Sequence, residues 1–345
     1  MSRPPLAARS RAFGPDSPWP AAITIPARNE AERILFCLEA ARLSLRDRGG
    51  IVLVVNGSTD ATFARAKDWF TTTRTAGLLM DLADTPPGGV GAVRRQAVAA
   101  ATPRLAPQGV VLTTDADSRV CPDWLDANLS ELSQADLICG TVLPDAQEFA
   151  QLPRIISQRG AAEGEYVALT LALRALIDPL EHDLAPCGLG AAGASLAFRM
   201  PLYLDTGGIP ALPRNEDRAF AAIAEDRGWR VRHSEKVRVS TSCRLDGRAP
   251  GGMAEALAQR ISDPDPLVDS ALEPADRTLQ RSHLRRARRE DLARFGPGSL
   301  QVAQIDRQLA GLARIPMRLS DVERELPLLA AAVCASRAAK ERLTA

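Results

Sequence analysis

Short apolar runs of β type recur along the first 140 residues, and helix-like stretches fill the gaps between them. The runs are AAITI (21–25), IVLVV (51–55), LLMDL (78–82), VVLTT (110–114) and DLICG (136–140). In the first gap Ile34, Leu35, Leu38, Ala41 and Leu45 fall at helical spacing, and the third carries the alanine-rich VGAVRRQAVAAA. Uniformly apolar strands alternating with amphipathic helices fold into a mostly parallel sheet with helices on both faces, so the expected class is α/β and Rossmann-like. In such sheets ligands sit at the carboxyl ends of the strands. The residues just after each run therefore carry the functional question.

Beyond residue 140 the alternation loosens. A long helical stretch (146–178), a Gly/Ala-rich segment (187–197), a helix near 215–227 and an extended segment (229–240) follow. From 246 onward GRAPGG, SDPDP and FGPGS punctuate helix-like pieces without an evident strand. The expected organisation is a mobile tail over 1–20, a core domain over 21–245 and a helical appendage over 246–345. Forty-three Lys and Arg against 42 Asp and Glu leave a net charge of +1, which excludes the electrostatic footprint of a dedicated nucleic-acid binder. No apolar run approaches the roughly 18 to 20 residues that cross a bilayer, and MSRPPLAARSRAFGPDSPWP lacks an apolar signal region, so neither export nor a membrane span is expected. Six cysteines without a CxxC pair argue against a zinc site or disulfide scaffold and fit a reduced, cytoplasmic setting. The three histidines show no HxH or HExxH spacing.

Four polar segments stand at or near predicted strand ends: PARNE (26–30), NGSTD (56–60), TDAD (114–117), and NED (215–217) with the distant RLDGR (244–248). If the strands are parallel, the first three meet at one sheet edge. Asp115 and Asp117, two apart after a buried strand, project to the same side and suit a hard divalent cation, Mg²⁺ or Mn²⁺; Asx turns and helix caps are the structural alternative. Asn29 is placed to cap the following helix with Glu30 in its first turn, and Ser58 or Thr59 to cap the next with Asp60 in its first turn. Glu216 and Asp217 open a helix whose Phe220, Ile223 and Ala224 face the core. Acids there are stabilised by the helix dipole, and one of them is also the best candidate to take a proton from an alcohol. Gly188, Gly190 and Gly193 spell GxGxxG, but EHDLAPC precedes them and the β-type ASLAF follows, the reverse of the dinucleotide context. Close approach of backbone to substrate is the better reading.

Taken in order, AITIPARNEAERI, VVNGSTDAT, GGVGAVRRQAVAAA, TTDADSRVCPDWL, GASLAFRMPLYLDTGGIP and NED resemble the inverting glycosyltransferases of family 2, which have the GT-A fold. The resemblance spans about residues 21–252, and SCRLDGRAPGG is similar to a C-terminal motif of a bacterial branch of that family. It implies a nucleotide-diphosphate sugar donor, a UDP-sugar first, and a hydroxyl acceptor. It puts Pro26, Arg28 and Glu30 in the nucleotide-binding first loop, with Asn56 at the next strand end. Asp115 and Asp117 become the DxD motif with Asp117 the direct metal ligand, Arg94 lines the nucleotide pocket beside the metal, and Asp217 is the general base beside Glu216. Arg244 and Arg248 are placed to add charge-assisted bonds to the diphosphate. Two positions depart from the pattern. Val55 and Asn56 stand where many members carry an Asp pair, and no histidine stands near Arg244, where related enzymes often supply a second metal ligand.

Two other functions compete. Nucleotidyl transfer to a sugar phosphate normally needs a glycine-rich first loop ending in a basic residue, which PARNE is not. A non-catalytic nucleotide-sugar-binding protein is the second, against which the paired acidic motifs speak. The stretch RTLQRSHLRRARREDLARF (277–295) holds seven arginines, yet on a helix its arginines and apolar residues share one sector. That mixing favours arginine stems packed over the core domain rather than peripheral contact with a membrane.

Overall fold

The structure, a computed structural model, describes residues 9–15, 18–184, 186–247 and 252–344. In chain order the elements are β1 (Arg9–Phe13), β2 (Trp19–Ala27), α1 (Ile34–Leu45), β3 (Gly49–Asn56), α2 (Thr62–Thr73), β4 (Gly77–Leu82), α3 (Gly89–Ala101) and β5 (Leu105–Thr113). Then come β6 (Ser118–Val120), α4 (Trp124–Glu131), β7 (Leu137–Pro144), α5 (Ala146–Ala150) and α6 (Arg154–Ile177). The chain continues through β8 (Leu196–Arg199), α7 (Met200–Asp205), α8 (Glu216–Asp226) and β9 (Val231–Thr241), and finally α9 (Met253–Ser262), α10 (Ala275–Phe295), α11 (Leu300–Gly311) and α12 (Leu319–Thr344).

All five apolar runs became strands of one nine-stranded sheet, ordered β1-β4-β3-β2-β5-β8-β7-β9-β6. The block β4-β3-β2-β5 is parallel throughout, β7 and β9 are parallel to each other, and β1, β8 and β6 pair antiparallel with their neighbours. The period of two sorts the side chains. Ile23, Ile25, Ile51, Leu53 and Leu112 point to the face covered by α1 and α2, where Leu38 and Phe70 lie fully buried. Ala22, Val52 and Val54 point to the other, beneath Val93 and Ala97 of α3. Each such large side chain contributes about 1.5–3 kcal/mol relative to exposure. This is the expected α/β architecture, a mostly parallel sheet with C-terminal helices, and because β2, β3 and β5 are adjacent and parallel, their carboxyl ends emerge side by side.

The expected linear partition differs from the one observed. Two compact units form, one from residues up to Gln151 together with Gly190–Glu255, the other from Leu152–Leu189 and the chain from Ala256 onward. Within the stretch read as a tail, Arg9–Phe13 is an edge strand on β4, fixed by an Arg9–Asp81 ion pair of 2.6 Å and by Phe13 stacked on Phe70 at 5.0 Å. The stretch read as part of the core domain contains α6, whose Tyr166, Leu173 and Ile177 pack with Leu272, Met317, Val322 and Leu329 instead of the sheet. An apolar stripe on a helix specifies burial but not the partner, so sequence order alone assigned α6 to the wrong neighbour.

In that second unit the arginines of α10 find partners close by. Arg281 donates to Glu273 at 2.8 Å, Arg288 to Asp306 at 2.6 Å, Arg286 to Glu290 at 2.8 Å, and Arg289 pairs with Asp178. The heads are paired with acids, as expected, and these four acids belong to the helical unit itself. Among the described residues no helix is long and apolar enough to cross a membrane.

Candidate active site

The loops after β2 and β3 are stitched together by their own polar side chains. Asn29, with a left-handed φ of 53°, accepts the Thr59 N–H on its Oδ1 at 2.8 Å, and its own N–H donates to Ser58 Oγ at 3.0 Å. Glu30 N–H donates to Thr62 Oγ1 at 2.8 Å, and Asp60 accepts from the backbone of both Ala31 and Thr62 at 3.0 Å. The expected caps are therefore corrected: the N-cap positions of α1 and α2 are Arg33 and Ala61, neither with a side-chain cap bond, because Asn29 and Ser58 bond across the loops instead. Asn56, buried at the end of β3, donates to Ala27 O and accepts from Thr85 Oγ1, both at 2.9 Å.

A cleft of about 520 Å³ opens on this edge of the first unit, within the range of small-molecule sites. Pro26, Arg28, Glu30, Asn56, Arg94, Asp115, Asp117, Glu216, Asp217 and Arg244 all line it, so the expected site residues within the described segments converge. Arg248 lies outside the described residues. Arg28 is exposed at the cleft wall, whereas Arg94 is buried.

Arg94 is the hub. From the first turns of α3 its Nη2 donates to Asp115 Oδ1 at 2.5 Å and its Nε to Glu216 Oε1 at 2.9 Å, joining the TDAD loop to the start of α8. Burial works against its charge, but Asp115, Glu216 and Asp217 outweigh it and hold the guanidinium more firmly protonated than usual. Burial pushes the Glu216 carboxyl up while Arg94 opposes. Glu216 thus serves as a buried counter-ion. Asp217 is the acid that faces the cleft with partial exposure, its Oδ2 accepting the Gly193 N–H at 2.6 Å and its Oδ1 the Arg218 N–H at 2.7 Å. The third glycine of GxGxxG has a reason of its own here: a Cβ on Gly193 would lie 2.3 Å from Arg94 Nη2.

Arg244, just past β9, completes the arrangement. Its Nη1 donates to Glu30 Oε2 at 2.8 Å, and its Nη2 contacts both Glu30 Oε1 and, at 3.2 Å, Asp117 Oδ2. Burial, then the neighbouring charge of Asp115, pushes the Asp117 carboxyl up to about 6, with Arg244 acting against them. A residue that sequence reading missed anchors this segment. Glu148 on α5 accepts from Ser242 Oγ (2.8 Å), Cys243 N–H (2.7 Å) and Arg33 Nη2 (2.9 Å). Within AQEFA it reads as an ordinary helix-surface acid, and no local signal marks a bond to chain 95 residues away.

The donor set suits a hard cation. Among the described residues no three His, Cys, Asp or Glu form a metal cage. Mg²⁺ and Mn²⁺, however, are commonly held by one or two carboxylates with water and substrate phosphate completing the shell. Asp117, a carboxylate lining the cleft beside Glu30 and Asp115, has the oxygen-donor chemistry that such an ion takes.

An α/β sheet whose parallel strand ends gather acids and arginines into one cleft defines an enzyme acting on a ligand bound at the sheet edge. Residues 22–180, a little under half of the chain, match the family described as glycosyl transferase family 2. None of the curated proteins matches the sequence. Solved structures similar to it include the mannosyltransferase PcManGT from Pyrobaculum calidifontis in complex with GDP-Man and Mn²⁺, at 19% identity and TM-score 0.49, covering 95% of this chain and 88% of that one. S. aureus TarS 1–349 in complex with UDP-GlcNAc is similar at 16% identity and TM-score 0.47, covering 92% and 87%. At such identities and scores neither protein's ligands transfer to this chain.

Proposed function

We propose that the protein transfers a sugar from a nucleoside-diphosphate donor to an alcohol acceptor by direct displacement, with inversion at the anomeric carbon. The observation that carries this reading is the joining of the two acidic motifs in one cleft, Asp117 on the TDAD loop and Asp217 on α8, through the bridge Asp115–Arg94–Glu216, whose Arg94 and Glu216 are buried. Asp217 is the general base. Two backbone N–H groups fix its carboxylate, leaving lone pairs to accept the proton of an acceptor hydroxyl. As that proton moves to Asp217, the acceptor oxygen bonds to the anomeric carbon, and the carbon–oxygen bond to the diphosphate breaks with its electron pair going to the phosphate. Arg244 binds the leaving diphosphate through charge-assisted hydrogen bonds. Asp117 would hold a divalent cation, which would supply Lewis-acid stabilisation of the same developing charge. Pro26, Arg28, Glu30 and Asn56 form the wall on which the nucleotide lies.

The test is release of nucleoside diphosphate from a panel of UDP- and GDP-sugars with Mn²⁺ and alcohol acceptors, followed by NMR of the glycoside formed. Turnover with the anomeric configuration inverted, abolished by EDTA, is expected. Failure of every donor to bind, or a product of retained configuration, refutes the proposal.

A further inference from the structure

Glu30 and Asp117 come from different loops, after β2 and after β5, yet one nitrogen touches both. Nη2 of Arg244 pairs with Glu30 Oε1 and lies 3.2 Å from Asp117 Oδ2, while Nη1 of the same guanidinium holds the other Glu30 oxygen at 2.8 Å. Glu30 is 6% exposed and the Arg244 side chain 15%, so this is an interior arrangement and not a screened surface pair. Asp115 is differently engaged, since its Oδ1 is held by Arg94 at 2.5 Å. Of the acids on this side of the cleft, the two that share a cation are therefore Glu30 and Asp117, not the Asp115 and Asp117 that the sequence spacing suggests. We propose that the Arg244 guanidinium stands in for the divalent cation between Glu30 and Asp117, and that it gives way when the cation enters with the donor diphosphate. The inference rests on the reading of the cleft as a metal-assisted donor site.

Charge explains both halves of the exchange. Without Arg244, the buried Glu30 and the part-buried Asp117 carboxylates stand close together uncompensated, a costly state that a cation of either kind relieves. Arg244 and a divalent cation want the same oxygens, so metal alone must displace a bidentate guanidinium. A diphosphate changes the balance because it offers the guanidinium an equally good planar fork of acceptors. Arg94, also in the cleft lining, has a buried Nη1 without a hydrogen-bond partner among the described residues. The backbone also allows the movement. Glu148 anchors the chain as far as Cys243, and residues 245–247 beyond Arg244 are exposed, so the side chain can turn without unpairing β9. Metal and diphosphate then bind cooperatively, each weakly by itself.

The experiment is an EPR titration of Mn²⁺ with the full-length protein, without nucleotide and with a nucleoside diphosphate, thermal melting confirming that each variant folds. Wild type is expected to bind Mn²⁺ alone at least 10-fold more weakly than with the diphosphate. Arg244→Gln tightens metal-only binding at least 10-fold, Arg244→Lys, which keeps the charge, does not, and Glu30→Gln in the Arg244→Gln background reverses the gain. Glu30→Gln alone weakens Mn²⁺ binding to the diphosphate complex at least 10-fold, which serves if the Arg244 variant does not fold. Metal-only affinity unchanged or weakened in Arg244→Gln, or Mn²⁺ binding unaffected by Glu30→Gln, overturns the inference while a wild type that binds the diphosphate with Mn²⁺ keeps the functional reading. A wild type that binds no nucleoside diphosphate under either condition overturns both.

Discussion

Replacing Gly193 with alanine adds one methyl group at a place where the structure has no room for it. The new Cβ would stand 2.3 Å from Arg94 Nη2 and 2.7 Å from its Cζ, inside any real carbon–nitrogen contact. Neighbouring backbone offers no retreat, because the Gly193 N–H is held by Asp217 at 2.6 Å and its carbonyl accepts from Thr113 Oγ1 at 2.6 Å. Arg94 must therefore move, and it is pinned between Asp115 and Glu216. A shift of about an ångström takes its Nη2 bond to Asp115 outside hydrogen-bond range. One buried charge-assisted hydrogen bond is worth roughly 1.5–3 kcal/mol, and more is lost if Asp115 is left without any partner. For a unit of about 200 residues each kcal/mol moves Tm by about 2–4 °C, so Gly193→Ala is expected to melt roughly 3–12 °C below wild type.

Gly190→Ala is the matched control. It stands in the same GxGxxG run, yet its nearest neighbour is Arg218 Cγ at 3.6 Å, ordinary van der Waals contact. Differential scanning calorimetry of the two variants beside wild type, with a nucleoside diphosphate and Mn²⁺ added in a second series, measures both the fold and the site. Gly193→Ala should melt early and gain less from the ligand, and Gly190→Ala should follow wild type. Equal melting of Gly193→Ala and wild type, with the same ligand response, would show that Arg94 tolerates displacement and would refute the hub role given to it.

Asp217→Asn should lower kcat by roughly 10² to 10⁴ with donor binding kept; its amide NH₂ also turns one of the two backbone donors away, so a loss of about 1 kcal/mol in a urea melt accompanies it. Loss of donor binding with turnover per bound donor preserved would make Asp217 structural. For pH, Glu148 carries the sign: although burial opposes it, bonds from Ser242, Cys243 and Arg33 hold its carboxyl below the usual range. A depressed folded pKa contributes stability that is complete above the ordinary Glu value of about 4.3 and is lost as pH falls through the folded value. The stability gap between wild type and Glu148→Gln should thus be constant near neutrality and close on acidification; a gap that widens in acid contradicts the assignment. With its arginines paired to Glu273, Asp306, Glu290 and Asp178, α10 should leave the protein in the supernatant with anionic liposomes at physiological salt. Co-sedimentation lost when Arg281, Arg285 and Arg289 become Gln would refute that.

What the sequence made legible follows from the range of the forces involved. The strands AAITI, IVLVV and VVLTT could be read because burial on both sheet faces demands an unbroken apolar run, and their adjacency put PARNE, NGSTD and TDAD at one edge. What could not be read are bonds whose partners lie far along the chain. Asn29 and Ser58 carry every local mark of helix caps, and only the juxtaposition of their loops gives each a better partner. Glu148 looks like a surface charge until α5 brings it to Ser242, 94 residues away, and Arg244, legible as a diphosphate contact, gives no local sign of its pairing with Glu30, 214 residues away. The GxGxxG run shows the limit from the other side. Its pattern was visible and its dinucleotide reading excluded by context, yet the reason for Gly193 is the guanidinium of a residue on a different helix, 99 positions earlier. Polar side chains at a sheet edge are thus underdetermined by their own neighbours, because a buried charge must find an opposite charge wherever the topology supplies one. In this chain the topology supplies Arg94 to Asp115 and Glu216, and Arg244 to Glu30 and Asp117, so two arginines from elements far apart in the sequence govern how four acids divide the work of one cleft.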